Sequence, residues 1–209
     1  MTPELLTLFV SAFATFFVII DPPGCAPIFG SLTAGTPPAY RRQMAIRSTL
    51  VASGILFAFA LVGKGFLSAL GVGLPAFRIA GGIMLFMIAI DMVFEKRTER
   101  RQNRAAGVAA AQPDDISVFP MGIPMIAGPG SIASAMLLTS RAEGWIERGV
   151  VLAALALTLL LTMLCLLAAG PLLKLVGHKV EAMITRVLGV ILAALAAQFV
   201  IDGIRASFF

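Results

Sequence analysis

Two short segments carry the residue types best suited to chemistry. Asp21-Pro22-Pro23-Gly24 and Gly128-Pro129-Gly130 each fall near the middle of a long apolar run. Proline removes a backbone donor and clashes with the carbonyl one turn back, while glycine admits dihedrals closed to other residues. Together they should unwind a helix rather than merely bend it. Unwound backbone in hydrocarbon leaves unpaired N–H and C=O groups, tolerated only where protein or a water-filled cavity surrounds them. Packing kinks would account for either break alone. Two breaks at corresponding places point to a binding site, where helix starts offer free N–H groups to a carboxylate and broken carbonyls accept from an ammonium.

Asp21 is the one acidic residue expected near the bilayer midplane, where an ionised carboxylate is expensive unless paired or hydrated. Two functional roles suit it: counter-charge for a substrate ammonium, or a carboxyl that takes up a proton during a cycle. A structural role suits it equally, as N-cap of the second half-helix with its oxygens on the N–H groups of Gly24 and Cys25. The hydroxyls of Ser31, Thr33, Ser131 and Ser134 follow the breaks and either line a site or bond back to helical carbonyls. Arg78 and Arg186 sit near the starts of apolar runs, where snorkelling to the interface is the default, with a gating role as the alternative.

The elements that must position these residues are membrane spans. Only 13% of the chain is charged, about half of what a soluble surface requires. The charges cluster between apolar runs of about twenty residues, the length that crosses hydrocarbon. Val151 to Ala169 has no charged residue and no polar helix face, which excludes a soluble helical core. Spans are expected near 5–34 (interrupted), 43–63, 74–94, 116–140 (interrupted), 149–169 and 181–204, with loops at 35–42, 64–73, 141–148 and 170–180. The expected organisation is a first repeat over 1–94, a polar linker over 95–115, and a second repeat over 116–209. Met1 to Glu4 has no basic residue and no cleavage site follows, so the first run should stay as a span. Cys25 and Cys165 lack metal-ligand or disulfide spacing. No cofactor, metal or nucleic acid is expected.

Orientation follows from basic residues. Arg41, Arg42, Arg47, Lys96, Arg97, Arg100, Arg101, Arg104, Lys174 and Lys179 flank the first, third and fifth connections, against Lys64, Arg78, Arg141, Arg148 and Arg205 on the other side. The linker is therefore expected in the cytoplasm and both termini outside a bacterial-type inner membrane.

The two halves match each other. At an offset of 106, Pro23-Gly24 falls on Pro129-Gly130, Thr33 on Thr139 and Arg42 on Arg148. After a two-residue insertion, Arg78-Ile79 falls on Arg186-Val187, Gly81 on Gly189 and Ile83 on Ile191. Three spans per copy make the second run in the opposite sense. The expected fold is all-α, six transmembrane helices as two inverted three-helix repeats, the first helix of each discontinuous. Gly81-Gly82 and Ala193 to Ala197 read as close helix packing.

IIDPPGCAPIFGSLT, RIAGGIMLFMIAIDM and FPMGIPMIAGPGSIASAMLLTS together resemble the MarC family, also described as small neutral amino acid transporters, over essentially the whole chain. The resemblance implies a secondary transporter of glycine, alanine or serine, coupled to H+ or Na+. The family motifs land on Asp21, Pro22 and Gly24, and on Gly128, Pro129, Gly130 and Ser131; Cys25 adjoins the first. Asn often stands in the family where this chain has Asp21, so a universal proton-carrying role does not follow. The residues expected to bind substrate are thus Asp21, Pro22, Gly24, Cys25, Gly128, Pro129, Gly130 and Ser131, with Asp21, Arg78 and Arg186 for coupling or gating.

Alternating access, one repeat rocking against the other, is the leading mechanism. An intramembrane enzyme is disfavoured. The only histidine, His178, falls in an expected loop, HExxH is absent, and one midplane aspartate makes no carboxylate pair. A channel and a non-transporting membrane partner docked through the basic linker remain as alternatives. The sequence leaves the exact substrate, direction, coupling ion and oligomeric state open, a homo-oligomer included.

Overall fold

The computed structural model describes residues 2–110, 115–142 and 144–208, without the side chains of 98, 104, 105, 108–110 and 170–182. Residues 111–114, near the end of the expected linker, lie outside it. The described residues form helices and connections with no strand. They are α1 (Pro3–Ile20), α2 (Pro22–Leu32), α3 (Pro38–Ala69), α4 (Leu74–Val93), α5 (Lys96–Ala110), an irregular Ser117–Ile126 segment, α6 (Pro129–Arg141), α7 (Trp145–Leu167) and α8 (Ala169–Phe208).

Five stretches are long and apolar enough to cross a bilayer: Pro3–Leu32, Pro38–Ala69, Leu74–Val93, Trp145–Leu167 and Met183–Phe208. The Ser117–Ile126 segment with α6, bent by 55° at their junction, makes a sixth. Large apolar side chains such as Leu50, Val62, Phe86, Met87, Leu160 and Val190 stand exposed along these spans. Hydrocarbon is the solvent that removes their cost.

The first span of each half, and its third, pack mainly against the other half. α1 and α2 lie against α7, while the Ser117–Ile126 segment and α6 lie against α3; α2 meets α8 and α4 meets α6. The third helices, α4 and α8, form the most extensive pair. A Cβ at Gly82 would lie 2.8 Å from the Ala196 carbonyl oxygen, one at Gly189 3.1 Å from that of Ala89, and one at Gly203 2.9 Å from that of Pro75. Residue numbers rise on one helix as they fall on the other, so the pair is antiparallel, as an inverted repeat requires. The small residues of this seam let backbone approach backbone. Thr33 and Thr139, matched in the alignment of the halves, repeat each other's geometry, each hydroxyl donating to the carbonyl four residues back, on Phe29 (2.8 Å) and Ala135 (2.7 Å).

Two expectations of the sequence are corrected. The stretch 95–115 is not simply a polar tether, because Lys96–Ala110 is a helix packed against α2, α4 and the Ser117–Ile126 segment. Nor is 170–180 a loop, because α8 runs without interruption from Ala169 and its backbone is helical past His178. A polar stretch between spans reads as a connection from hydropathy alone, yet nothing in its composition forbids helix. The charged ends of α3 carry the helix several residues beyond the expected 43–63 span for the same reason.

Candidate functional site

The prolines create the site by orphaning carbonyls. In a continuous helix the Ile19 carbonyl would accept from the N–H of residue 23 and the Met125 carbonyl from that of residue 129. Both residues are proline and have no N–H. Ile19 and Met125 are 106 apart, so the same carbonyl is freed in each repeat.

At the first break Asp21 adopts a left-handed conformation (φ 60°, ψ 65°), closing α1 through its N–H to Phe17 O and opening α2 with its side chain. Its Oδ1 accepts from Gly24 N–H at 3.1 Å, while Cys25 N–H bonds the Asp21 backbone carbonyl at 3.0 Å. The N-cap therefore forms on Gly24 alone of the two expected donors. Gly24 is required there: a Cβ would lie 2.2 Å from Asp21 Oδ2. Pro22 opens α2, and the Cys25 thiol faces the Ile20 carbonyl at 3.5 Å.

At the second break Pro120 and Pro124 also remove donors. The segment before it is accordingly not regular helix, with extended backbone at Phe119 and Ile123 and cis peptides before both prolines. Gly128 ends it in extended conformation, and α6 starts at Pro129 with no side-chain cap. The N–H groups of Gly130 and Ser131 thus have no helical acceptor behind them. A Cβ at Gly130 would lie 2.5 Å from Ile88 and 3.5 Å from Ile19, so the second break packs directly against the end of α1.

The orphaned carbonyls are claimed by α5. Arg97 donates to Ile19 O at 2.5 Å; Arg101, one turn on, donates to Met125 O at 3.3 Å and to Asp21 Oδ2 at 3.1 Å. Spacing of four places both arginines on one helix face. The Asp21 and Arg101 side chains are 4% and 10% exposed. A charge-assisted bond to a buried carbonyl contributes about 1.5–3 kcal/mol, where an unmet carbonyl would cost about 1–3. Arg97 also reaches Met92 Sδ at 2.9 Å, and Arg100 pairs with Asp91. Burial, with Arg101 close by, pulls Arg97 down to about 10, leaving it charged at neutral pH.

Between α5 and the second break lies a cavity of about 170 Å³, walled by Ile19, Ile88 and Asp91, by Arg97, Arg100 and Arg101, and by Pro124, Met125 and Gly128 to Ser131. It falls below the roughly 300–1,000 Å³ of pockets for drug-sized ligands and fits only a small solute. Of the expected binding residues, Gly128, Pro129, Gly130 and Ser131 line it; Asp21 is joined to it through Arg101, and Pro22, Gly24 and Cys25 shape the Asp21 turn. Ile88 is five residues before the end of α4, about 8 Å along the helix, so the cavity lies toward the linker end rather than at the centre of the span.

Arg78 and Arg186 lie outside this group. Arg186 pairs with Glu95 (2.6 Å), just past the linker end of α4. Arg78 stands in the first turns at the opposite end of α4, its Nε buried without a hydrogen-bond partner among the described residues. Seventeen residues, about 25 Å of helix, separate their levels. Arg97 and Arg101 are the residues that sequence reading missed. The available signal was a basic pair four apart in a stretch able to form an amphipathic helix, beside a membrane aspartate needing a counter-charge.

Residues 6–208 match the model of the MarC family, described as integral membrane proteins. The chain is 38% identical to a UPF0056 membrane protein of Methanocaldococcus jannaschii, over 96% of this chain and 97% of that one. It is 33% identical to the UPF0056 inner membrane protein YhgN of Escherichia coli, over 94% and 95%. No solved structure matches. With a match that runs from the first span to the last and takes in both proline breaks, the chain belongs to the MarC family of multi-pass integral membrane proteins.

Proposed function

We propose that the protein is a secondary carrier of small neutral amino acids, glycine, alanine or serine in class, binding them between its two helix breaks and exposing them alternately to each side. The observation that carries this reading is the pair of proline-freed carbonyls, Ile19 O and Met125 O. They occupy equivalent positions in the two halves and are held by one helix beside a small cavity. A site built from both copies of an inverted repeat is the arrangement in which rocking one copy against the other changes access without dismantling the scaffold. The size of the cavity favours a small cargo.

In this reading α5 closes the linker end, and release of Arg101 from Asp21 accompanies opening. Asp21 is then free to accept a substrate ammonium or a coupling proton; Na+ on the unwound carbonyls would serve as the alternative coupling ion. The excess of basic residues at the linker end supports a cytoplasmic linker with both termini outside. The homologue named an inner membrane protein favours that membrane.

Counterflow in proteoliposomes tests the function. Vesicles loaded with unlabelled glycine, alanine or serine should transiently accumulate the labelled species, and Gly130→Leu, which forces a side chain into Ile88, should abolish this while remaining folded. Conductance without exchange would favour a channel. Absence of any flux from folded protein would sink the carrier reading.

A further inference from the structure

The charges around the cavity do not balance. Arg97, Arg100 and Arg101 are opposed by Asp21 and Asp91, a net of 3 − 2 = +1. The surplus belongs to Arg97, whose partners among the described residues are neutral, the Ile19 carbonyl and the Met92 thioether. A half-buried guanidinium beside a second one, with no carboxylate of its own, favours an anion brought from outside. Each guanidinium has five N–H donors, and Arg97 and Arg101 commit two apiece, so donors remain.

The opposite wall independently points to an anion. Ser131 is 3% exposed, lines the cavity, and its hydroxyl has no hydrogen-bond partner among the described residues. The N–H groups of Gly130 and Ser131 beside it are the free donors at the start of α6. Donors thus converge on the cavity from both sides, while Asp21 already accepts from Gly24 and Arg101, Asp91 from Arg100 through one oxygen, Ile19 O from Arg97 and Met125 O from Arg101.

We propose that this cavity is a carboxylate seat, the anion bridging Arg97 and Arg101 on α5 to the N–H groups and Ser131 hydroxyl at the start of α6. This deepens the carrier reading and rests on it for the identity of the cargo: the carboxylate end of the solute docks at the second break, and α5 is part of the binding site as well as its cover. A helix outside the spans then contributes to recognition, and cargo draws α5 onto the breaks through Arg97. An amine lacking a carboxylate has no purchase on this seat.

Thermal unfolding of the purified protein in neutral detergent tests the seat without transport. The probes are sodium acetate, glycine, ethylammonium chloride and sodium phosphate, each against sodium chloride at matched ionic strength. Acetate and glycine should raise the melting temperature above the chloride control, and ethylammonium should not. Ser131→Ala removes one small hydroxyl and should weaken the acetate effect about tenfold in apparent affinity, the lower end for one hydrogen bond to a charged group. Arg97→Gln should abolish it, and Arg97→Lys should retain part, since an ammonium keeps the charge without the planar fork. No carboxylate effect in folded wild-type protein would overturn the proposal, as would an effect unchanged in both Ser131→Ala and Arg97→Gln. Stabilisation by phosphate alone would overturn the carboxylate assignment. Acetate binding retained while counterflow fails would separate the two readings, sinking the carrier and leaving the seat.

Discussion

Replacing Arg101 with methionine should release α5 from the breaks. The side chain keeps much of its length but loses both contacts of the guanidinium, 3.1 Å to Asp21 Oδ2 and 3.3 Å to Met125 O. Removing one member of a buried ion pair costs about 3–5 kcal/mol, because the other charge is left unpaired. Asp21 keeps the Gly24 N–H, and the neighbouring cavity admits water, so the lower end, about 3 kcal/mol, is the better figure here. If that loss falls on the conformation closed by α5, the open population rises roughly a hundredfold, at about 1.4 kcal/mol per tenfold. Cys25 reports it, being fully buried and four residues past Asp21 in a turn that Arg101 holds shut. In a Cys165→Ser background, the rate of Cys25 alkylation by a maleimide should rise by up to that factor in Arg101→Met. Arg101→Lys should fall between, since one ammonium on a flexible stem poorly spans two acceptors. Asp21→Asn combined with Arg101→Met should recover part of the stability by removing the stranded charge. A Cys25 rate within about twofold of the parent, in Arg101→Met protein with unaltered circular dichroism, would refute the claim that this ion pair holds α5 closed.

Gly24→Ala should destabilise the protein by about 2–4 kcal/mol in thermal or denaturant unfolding, because the new Cβ, 2.2 Å from Asp21 Oδ2, displaces the carboxylate from cap and ion pair together. Gly82→Val should split the α4–α8 seam, since its Cβ meets the Ala196 carbonyl at 2.8 Å and backbone cannot step aside; loss of folded protein on size-exclusion chromatography is the readout. Arg47→Ala should change stability by less than about 1 kcal/mol, its pair with Asp115 being 53% and 41% exposed, and added salt should shrink the difference further. The hydrogen bonds from Ser117 hold the Asp115 carboxyl below its ordinary value. Its contribution to stability is present above about pH 4 and lost as pH falls through the lowered folded value, so Asp115→Asn should flatten that acid limb of a pH–stability curve.

Much of the fold was legible because it rests on local chemistry. Twenty-residue apolar runs permit little except a span, and proline beside glycine breaks a helix when it falls well inside one rather than in its first turn. Both breaks and the α4–α8 glycine seam therefore appear where the sequence puts them. Hydropathy misled at 95–115 and 170–180 because polarity says where a chain meets water and leaves its conformation open. Asp21 was legible as a cap and as a charge needing a partner. Which of the many basic residues supplies that partner was not, since Arg101 lies eighty positions away and the pairing depends on how α5 is docked.

By itself the sequence determined that this is a multi-pass membrane protein with two matched proline breaks, because covalent properties of proline, glycine and apolar side chains act at the position where they stand. Only the tertiary structure decided what those breaks face. Orphaned carbonyls must find donors, and in hydrocarbon the donors are whatever the packing brings near; here they are Arg97 and Arg101 on one face of α5, meeting the same carbonyl in each half of the molecule.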